Sequence, residues 1–201
     1  MDIFAHGLWA GADAKAAKKE SKKPIKVWLT VFWGVIPDLF AFVPAFIYLF
    51  YQALIVGQGF AILRPHADIE SETVQHQVPL FDLSTALYNY SHSLVIFALV
   101  ALLVWLLRKK VPWEMLGWPL HILIDIPTHS YKFFPTPFLW PVSNLEVNGF
   151  SWGTPWFMIL NYGSLLALYV VLSRREFKDS LRIVLGVLSL ILIASFVFTR
   201  S

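Results

Sequence analysis

The chain of 201 residues has no cysteine and little charge, with only 14% of its residues Asp, Glu, Lys or Arg. Without cysteine there is neither a disulfide framework nor a thiolate metal site, so any bound metal is held by His, Asp, Glu or backbone oxygen. Soluble domains carry about a quarter charged residues, and so low a fraction excludes an ordinary water-soluble globular domain. The net charge of +3 is too small to point to nucleic acid. Also missing are an internal repeat and, in residues 1–13, the basic n-region and small-residue cleavage site of a signal peptide. That first stretch is expected to be retained.

What is there is apolar: 57% of residues are hydrophobic and the mean hydropathy is +0.62. Apolar segments at 27–51, 85–107, 112–129, 155–173 and 180–198 each approach the roughly 20 residues that cross a bilayer. The pattern predicts an all-α fold, a polytopic membrane helix bundle of about five transmembrane helices, as one integral membrane domain over 1–201. Residues 1–14 are expected as a short half-span or interfacial helix, because thirteen or so helical residues reach only about 20 Å. A basic linker at 15–26 follows, and 27–198 form the bundle. Lysines at 15–26, the cations at 108–110 and those at 174–182 place these loops in the cytoplasm. The loops 52–84 and 130–154, whose only cations are Arg64 and Lys132, belong outside.

Within this apolar background the run Leu120 to His129 carries His121, Asp125 and His129, one helical turn apart and therefore on one stripe. Ionisable groups at bilayer depth are costly and default to a functional reading. Imidazole and carboxylate together suit a zinc-class ion. Counted from the nearest basic edge, His6 lies about 12 Å deep, His121 about 14 Å, Asp38 about 18 Å, Asp125 about 20 Å, and His92 and His129 about 24–25 Å. Six ligand-type residues thus share one band from mid-membrane to the outer leaflet. Pro37 is expected to break the helix ladder beside Asp38, and Ser91 and Ser93 to orient His92. His66 and His76 lie in a polar loop and read as solvated.

The segment 131–156 is dense in aromatics and prolines, among them Tyr131, Phe134, Trp140, Trp152 and Trp156, and reads as an interfacial belt. A lipid or lipid-linked phosphoester arriving sideways from the membrane is the expected substrate class, with Lys132 or Arg64 as phosphate contacts. Oligomeric state is not legible in the sequence. Ligand counting favours one or two divalent ions, zinc foremost, held by His6, Asp38, His92, His121, Asp125 and His129. The expected activity is hydrolysis by a metal-activated water, with Asp38 or Asp125 as the catalytic proton acceptor. The alternative is a metal-ion or proton transporter using the same intramembrane Asp and His. A third possibility is a metal or an Asp-His pair that only staples helices together.

The stretches Met1-Asp2-Ile3-Phe4-Ala5-His6-Gly7, Gly34-Val35-Ile36-Pro37-Asp38-Leu39, Tyr90-Ser91-His92-Ser93-Leu94 and Gly117 to His129 resemble the YdjM-like family of bacterial inner-membrane proteins, described as predicted membrane-bound metal-dependent hydrolases. The resemblance covers roughly residues 1–140. It implies a bacterial inner-membrane location, a metal site and hydrolytic activity. More distantly the ligand order is similar to that of the zinc-dependent phospholipase C and P1 nuclease group, which implies phosphoester hydrolysis. An N-terminal tryptophan, a ligand in that group, is not present here, which speaks for fewer than three ions.

Overall fold

The structure, a computed structural model, describes residues 1–21, 24–57, 79–132 and 134–172. Among these the chain is helical, with no strand element. The helices are α1 (Ile3–Ser21), α2 (Val27–Leu54), α3 (Pro79–Ser91), α4 (Leu94–Arg108), α5 (Gly117–Thr128) and α6 (Pro155–Leu172), and a 3-10 turn at Trp113–Leu116 leads into α5.

Two helices, α2 and α6, are long and apolar enough to cross a membrane, and α3 with α4 makes a third if that pair, bent by 57°, is one span. The described residues thus account for two or three of the five expected spans. The segments 27–51 and 155–173 coincide with α2 and α6, while 180–198 lies outside the described residues. The segment 112–129 is a 3-10 turn followed by the 12-residue α5, which at 1.5 Å per residue extends about 18 Å and falls short of a span.

The expected continuous helix over 85–107 breaks at His92 and Ser93. Irregular backbone at membrane depth survives only where its polar groups find protein partners. Here they do. Ser93 caps α4, its hydroxyl accepting from the amides of Val95 (3.1 Å) and Ile96 (3.2 Å), and the Leu94 amide donates to the Phe138 carbonyl at 2.9 Å. The Trp118 indole donates to the Ser91 carbonyl at 2.6 Å.

Two further expectations change. α1 runs to Ser21 rather than ending near residue 14, because Ala14, Lys15, Ala16, Ala17, Lys18, Lys19 and Glu20 are all strong helix formers with nothing to stop them before Pro24. The helix α2 passes through Pro37 and Pro44 without breaking. Proline forfeits one ladder bond in a membrane helix, and neighbouring helices make up the loss.

The packing centres on α2, which contacts α1, α3, α5 and the 3-10 turn. Two glycines make this possible. A Cβ on Gly34 would stand 2.6 Å from the Ala10 Cβ and 3.3 Å from the His6 carbonyl, and a Cβ on Gly117 would stand 2.9 Å from the Gly34 amide. Three helices therefore cross at Gly34 with no room for a methyl group, the close approach that small residues allow between membrane helices. The outside is the reverse of a soluble protein: α4 buries no residue at all, and Leu107 is 75% exposed. Such a surface in water would be an aggregation site, whereas in a bilayer it is the lipid contact.

Candidate metal centre

The interior around which these helices close is polar. His6, Asp38, His92, His121, Asp125 and His129 are all buried. α1 supplies His6, α2 supplies Asp38, the break between α3 and α4 supplies His92, and α5 supplies His121 and Asp125 with His129 as its C-cap. The helical spacing of four puts His121, Asp125 and His129 on one stripe that faces the other helices, and all six side chains meet around Asp125.

The two oxygens of Asp125 divide the group. Facing Oδ2 are His121 Nε2 at 3.1 Å and His92 Nε2 at 3.5 Å. Asp38 Oδ1 closes this side, 3.4 Å from His92 Nε2 and 3.7 Å from His121 Nε2. The ligand atoms of Asp38, His92, His121 and Asp125 lie within 4.8 Å of one another, so this buried group could hold a metal ion. Ligands about 2.0–2.1 Å from a tetrahedral ion stand roughly 3.3 Å apart, close to these separations. On the Oδ1 side are His6 Nε2 at 2.9 Å and His129 Nε2 at 3.4 Å.

Hydrogen bonds outside the group fix which nitrogen of each ring faces inward. A carbonyl oxygen can only accept, so a ring nitrogen bonded to one carries the proton and leaves the other with its lone pair. His121 Nδ1 donates to the Gly34 carbonyl at 2.7 Å, a contact that the glycine crossing allows. His129 Nδ1 donates to the Phe134 carbonyl at 2.7 Å. Phe134 holds that carbonyl in place with φ of +43°, a left-handed conformation costly for a bulky residue. His92 Nδ1 lies 2.9 Å from the Ser91 hydroxyl and 3.3 Å from the Tyr88 carbonyl. Ser91 thus orients the imidazole as expected, while Ser93 is occupied as the helix cap.

Three imidazoles consequently turn their Nε2 atoms towards Asp125, and those of His92 and His121 also face Asp38. The Nε2 atoms of His92 and His121 stand 2.9 Å apart. Asp125 Oδ2 and both nitrogens of His6 are buried without a hydrogen-bond partner. His6 Nε2 is within reach of Asp125 Oδ1, but its ring, stacked on His121 with centroids 3.6 Å apart, is not aligned to bond it. Orphaned buried acceptors of this kind call for a cation.

Two residues at the centre escaped the sequence reading. The Met1 amino group donates to Asp125 Oδ1 and to His129 Nε2, the latter at 2.8 Å. Its position follows from His6 lying just over one helical turn away. Tyr88 is fully buried, its ring stacked on His92 at 3.6 Å and its hydroxyl 3.0 Å from His129 Nδ1 and 3.3 Å from Thr136 Oγ1. A tyrosine one turn before His92 was the only available signal.

The segment 130–154 does more than line the interface. Thr136 and Pro137 are buried, and Phe134 packs against Phe42 at 5.1 Å and Tyr88 at 5.3 Å. The amides of Gly149, Phe150 and Trp152 bond the carbonyls of His129 (2.8 Å), Pro127 (3.1 Å) and Thr128 (3.1 Å). Phe134, Thr136 and Pro137 of the expected belt therefore pack inward at the centre, while Tyr131, Val142, Leu145, Phe150 and Trp156 are exposed. Lys132 is exposed on this segment. Arg64, His66 and His76 lie outside the described residues.

Comparison of the chain with protein families, with curated proteins and with solved structures finds no match.

Proposed function

We propose that the protein is a membrane-embedded metal-dependent hydrolase that cleaves a phosphoester in a lipid or lipid-linked substrate. The observation that carries this reading is the convergence of the ligand atoms of Asp38, His92, His121 and Asp125, with Asp125 Oδ2 buried and unpartnered among them and the Nδ1 atoms of both imidazoles turned to backbone carbonyls. Asp38 and Asp125 bring two carboxylates into one buried group, which a divalent cation suits.

Zinc is the ion best suited to a ligand set of His nitrogen and carboxylate oxygen. Asp38, His92, His121 and Asp125 Oδ2 would hold one ion, and a second, between His6, His129 and Asp125 Oδ1, would take the place that the Met1 amine has there. When bound, zinc acidifies water towards neutral pH and polarises a phosphoryl oxygen. The chain's own part is positional. Asp38 would take the proton of the attacking water as the water oxygen adds to phosphorus. The ester P–O bond then breaks, and the leaving alkoxide takes up the proton that Asp38 holds. The roof formed by 134–140 and 149–152 limits access of bulk water. The sequence resemblance to membrane-bound metal-dependent hydrolases supports the same class, and with it a bacterial inner-membrane location with the centre in the outer half.

The test is turnover by the purified full chain in mixed micelles of phospholipids and lipid phosphates. Product formation that a chelator abolishes, zinc restores and Asp38→Asn removes is the expected result. The contrary result is no metal-dependent product, together with metal-ion or proton flux in liposomes that Asp38→Asn blocks, which would make the protein a transporter.

A further inference from the structure

Three of the four histidines at the centre are set by a contact outside it, since the Nδ1 atoms of His92, His121 and His129 each face a backbone carbonyl. His6 has no such bond. Both its nitrogens are buried without a hydrogen-bond partner, although Nε2 stands 2.9 Å from Asp125 Oδ1. The placement of its ring therefore falls to the backbone of α1 and to the stack on His121.

The first turn of α1 is fixed at Asp2. The Asp2 side chain caps the helix, Oδ1 accepting from the Ala5 amide at 3.0 Å, and the Asp2 carbonyl accepts from the His6 amide at 3.2 Å. The Tyr162 hydroxyl of α6 donates to the same Oδ1 at 2.7 Å. Asp2 Oδ2 is buried with no hydrogen-bond partner, so the carboxylate is held through Oδ1 alone. Tyr162 is itself buried in an apolar cluster with Met1, Ala5, Ala12, Leu165 and Tyr169, surroundings in which a tyrosine hydroxyl needs a polar partner.

None of the six residues of the centre comes from α6, which packs on α1. Besides the bond to Asp2, the Trp9 indole donates to Asn161 Oδ1 at 2.8 Å and the Tyr169 hydroxyl donates to the Leu8 carbonyl at 2.9 Å. These two meet α1 beyond His6, whereas Tyr162 meets the turn that leads into it. We propose that Tyr162 is a positioning residue of the centre: through Asp2 it fixes the first turn of α1, and with it the place of the His6 imidazole against Asp125 and His121. A membrane-crossing helix thereby acts on the centre through its neighbour. The effect on metal and turnover rests on the hydrolase reading, whereas the placement of His6 does not.

Nuclear magnetic resonance of the imidazoles separates the two. The full chain is labelled at histidine, held in detergent without added metal, and the His6 signals are assigned by their loss in His6→Gln. Tyr162→Phe, which keeps the ring and removes the hydroxyl, should shift the signals of His6 and of the His121 ring stacked on it. Tyr169→Phe removes a hydroxyl from the same interface and should leave both in place. Asp2→Asn keeps an oxygen for the Ala5 amide and the Tyr162 hydroxyl and should keep the wild-type signals. Asp2→Ala loses both bonds and should reproduce the shifts, which reads the same contact from α1 if Tyr162→Phe fails to fold. Competition with a chelating dye should then find zinc held about tenfold more weakly in Tyr162→Phe. Equal shifts in the two Phe variants, or none in either, overturn the proposal, because the hydroxyl would then contribute packing alone. Shifts of His6 in protein that binds no zinc leave the positioning role standing and remove the metal reading. Zinc bound equally by wild type and Tyr162→Phe, with His6 unmoved, does the opposite.

Discussion

Asp125 is the residue on which the centre turns, because each of its oxygens faces a different set of nitrogens. Asp125→Asn should therefore deplete metal from both sets, whereas Asp38→Asn should deplete only the set containing His92 and His121. Elemental analysis of the purified variants measures this, and equal depletion by the two substitutions would contradict the division. Tyr88→Phe keeps the ring on His92 but removes the hydroxyl from His129. Loss of a partner that orients a ligating histidine lowers metal affinity about 10–100-fold. Competition with a chelating dye should find that drop for Tyr88→Phe and none for Tyr90→Phe, whose ring packs on Trp140 instead. The six residues of the polar cluster were legible in the sequence, since His and Asp are conspicuous in an apolar run and fall at a similar depth. Tyr88 and the Met1 amine were not, because a tyrosine or a chain start carries no such contrast.

Among the helices, the crossing at Gly34 decides whether the ligands meet at all. Gly34→Ala places a methyl group 2.6 Å from the Ala10 Cβ and pushes α1, with His6, away from α2 and α5. Overpacking of this kind costs about 1–3 kcal/mol. Gly163→Ala, where nothing lies within 4 Å, is the matched control and should be neutral. Thermal unfolding in detergent reads both, and equal midpoints would remove the crossing from the account. The helical class, α2 and α6 could be read from apolar length alone. The break at Ser91–Leu94 could not, because the groups that satisfy it, Phe138 and Trp118, come from remote positions. For the same reason α5 looked like a span: its apolar run continues through a 3-10 turn that hydropathy does not see.

For the molecule as a whole, the cations set an orientation that can be measured. The absence of cysteine makes single-cysteine labelling clean, and substitutions at 18 and 110 should react only from the cytoplasmic side, those at 142 and 150 only from outside. The reverse pattern would turn the centre towards a cytoplasmic substrate. Hydropathy also explains why the interior is polar: with lipid to receive the leucines of α4, the helices gather around buried His and Asp rather than around a large apolar core.

The central claim is that this polar interior is a metal centre, and metal content with an anomalous diffraction signal tests it most directly. Protein purified without chelator should carry one to two equivalents of zinc or a similar first-row ion, with the strongest anomalous peak between Asp38, His92, His121 and Asp125. Less than about a tenth of an equivalent, with no peak at these four residues after zinc is supplied, would contradict the account.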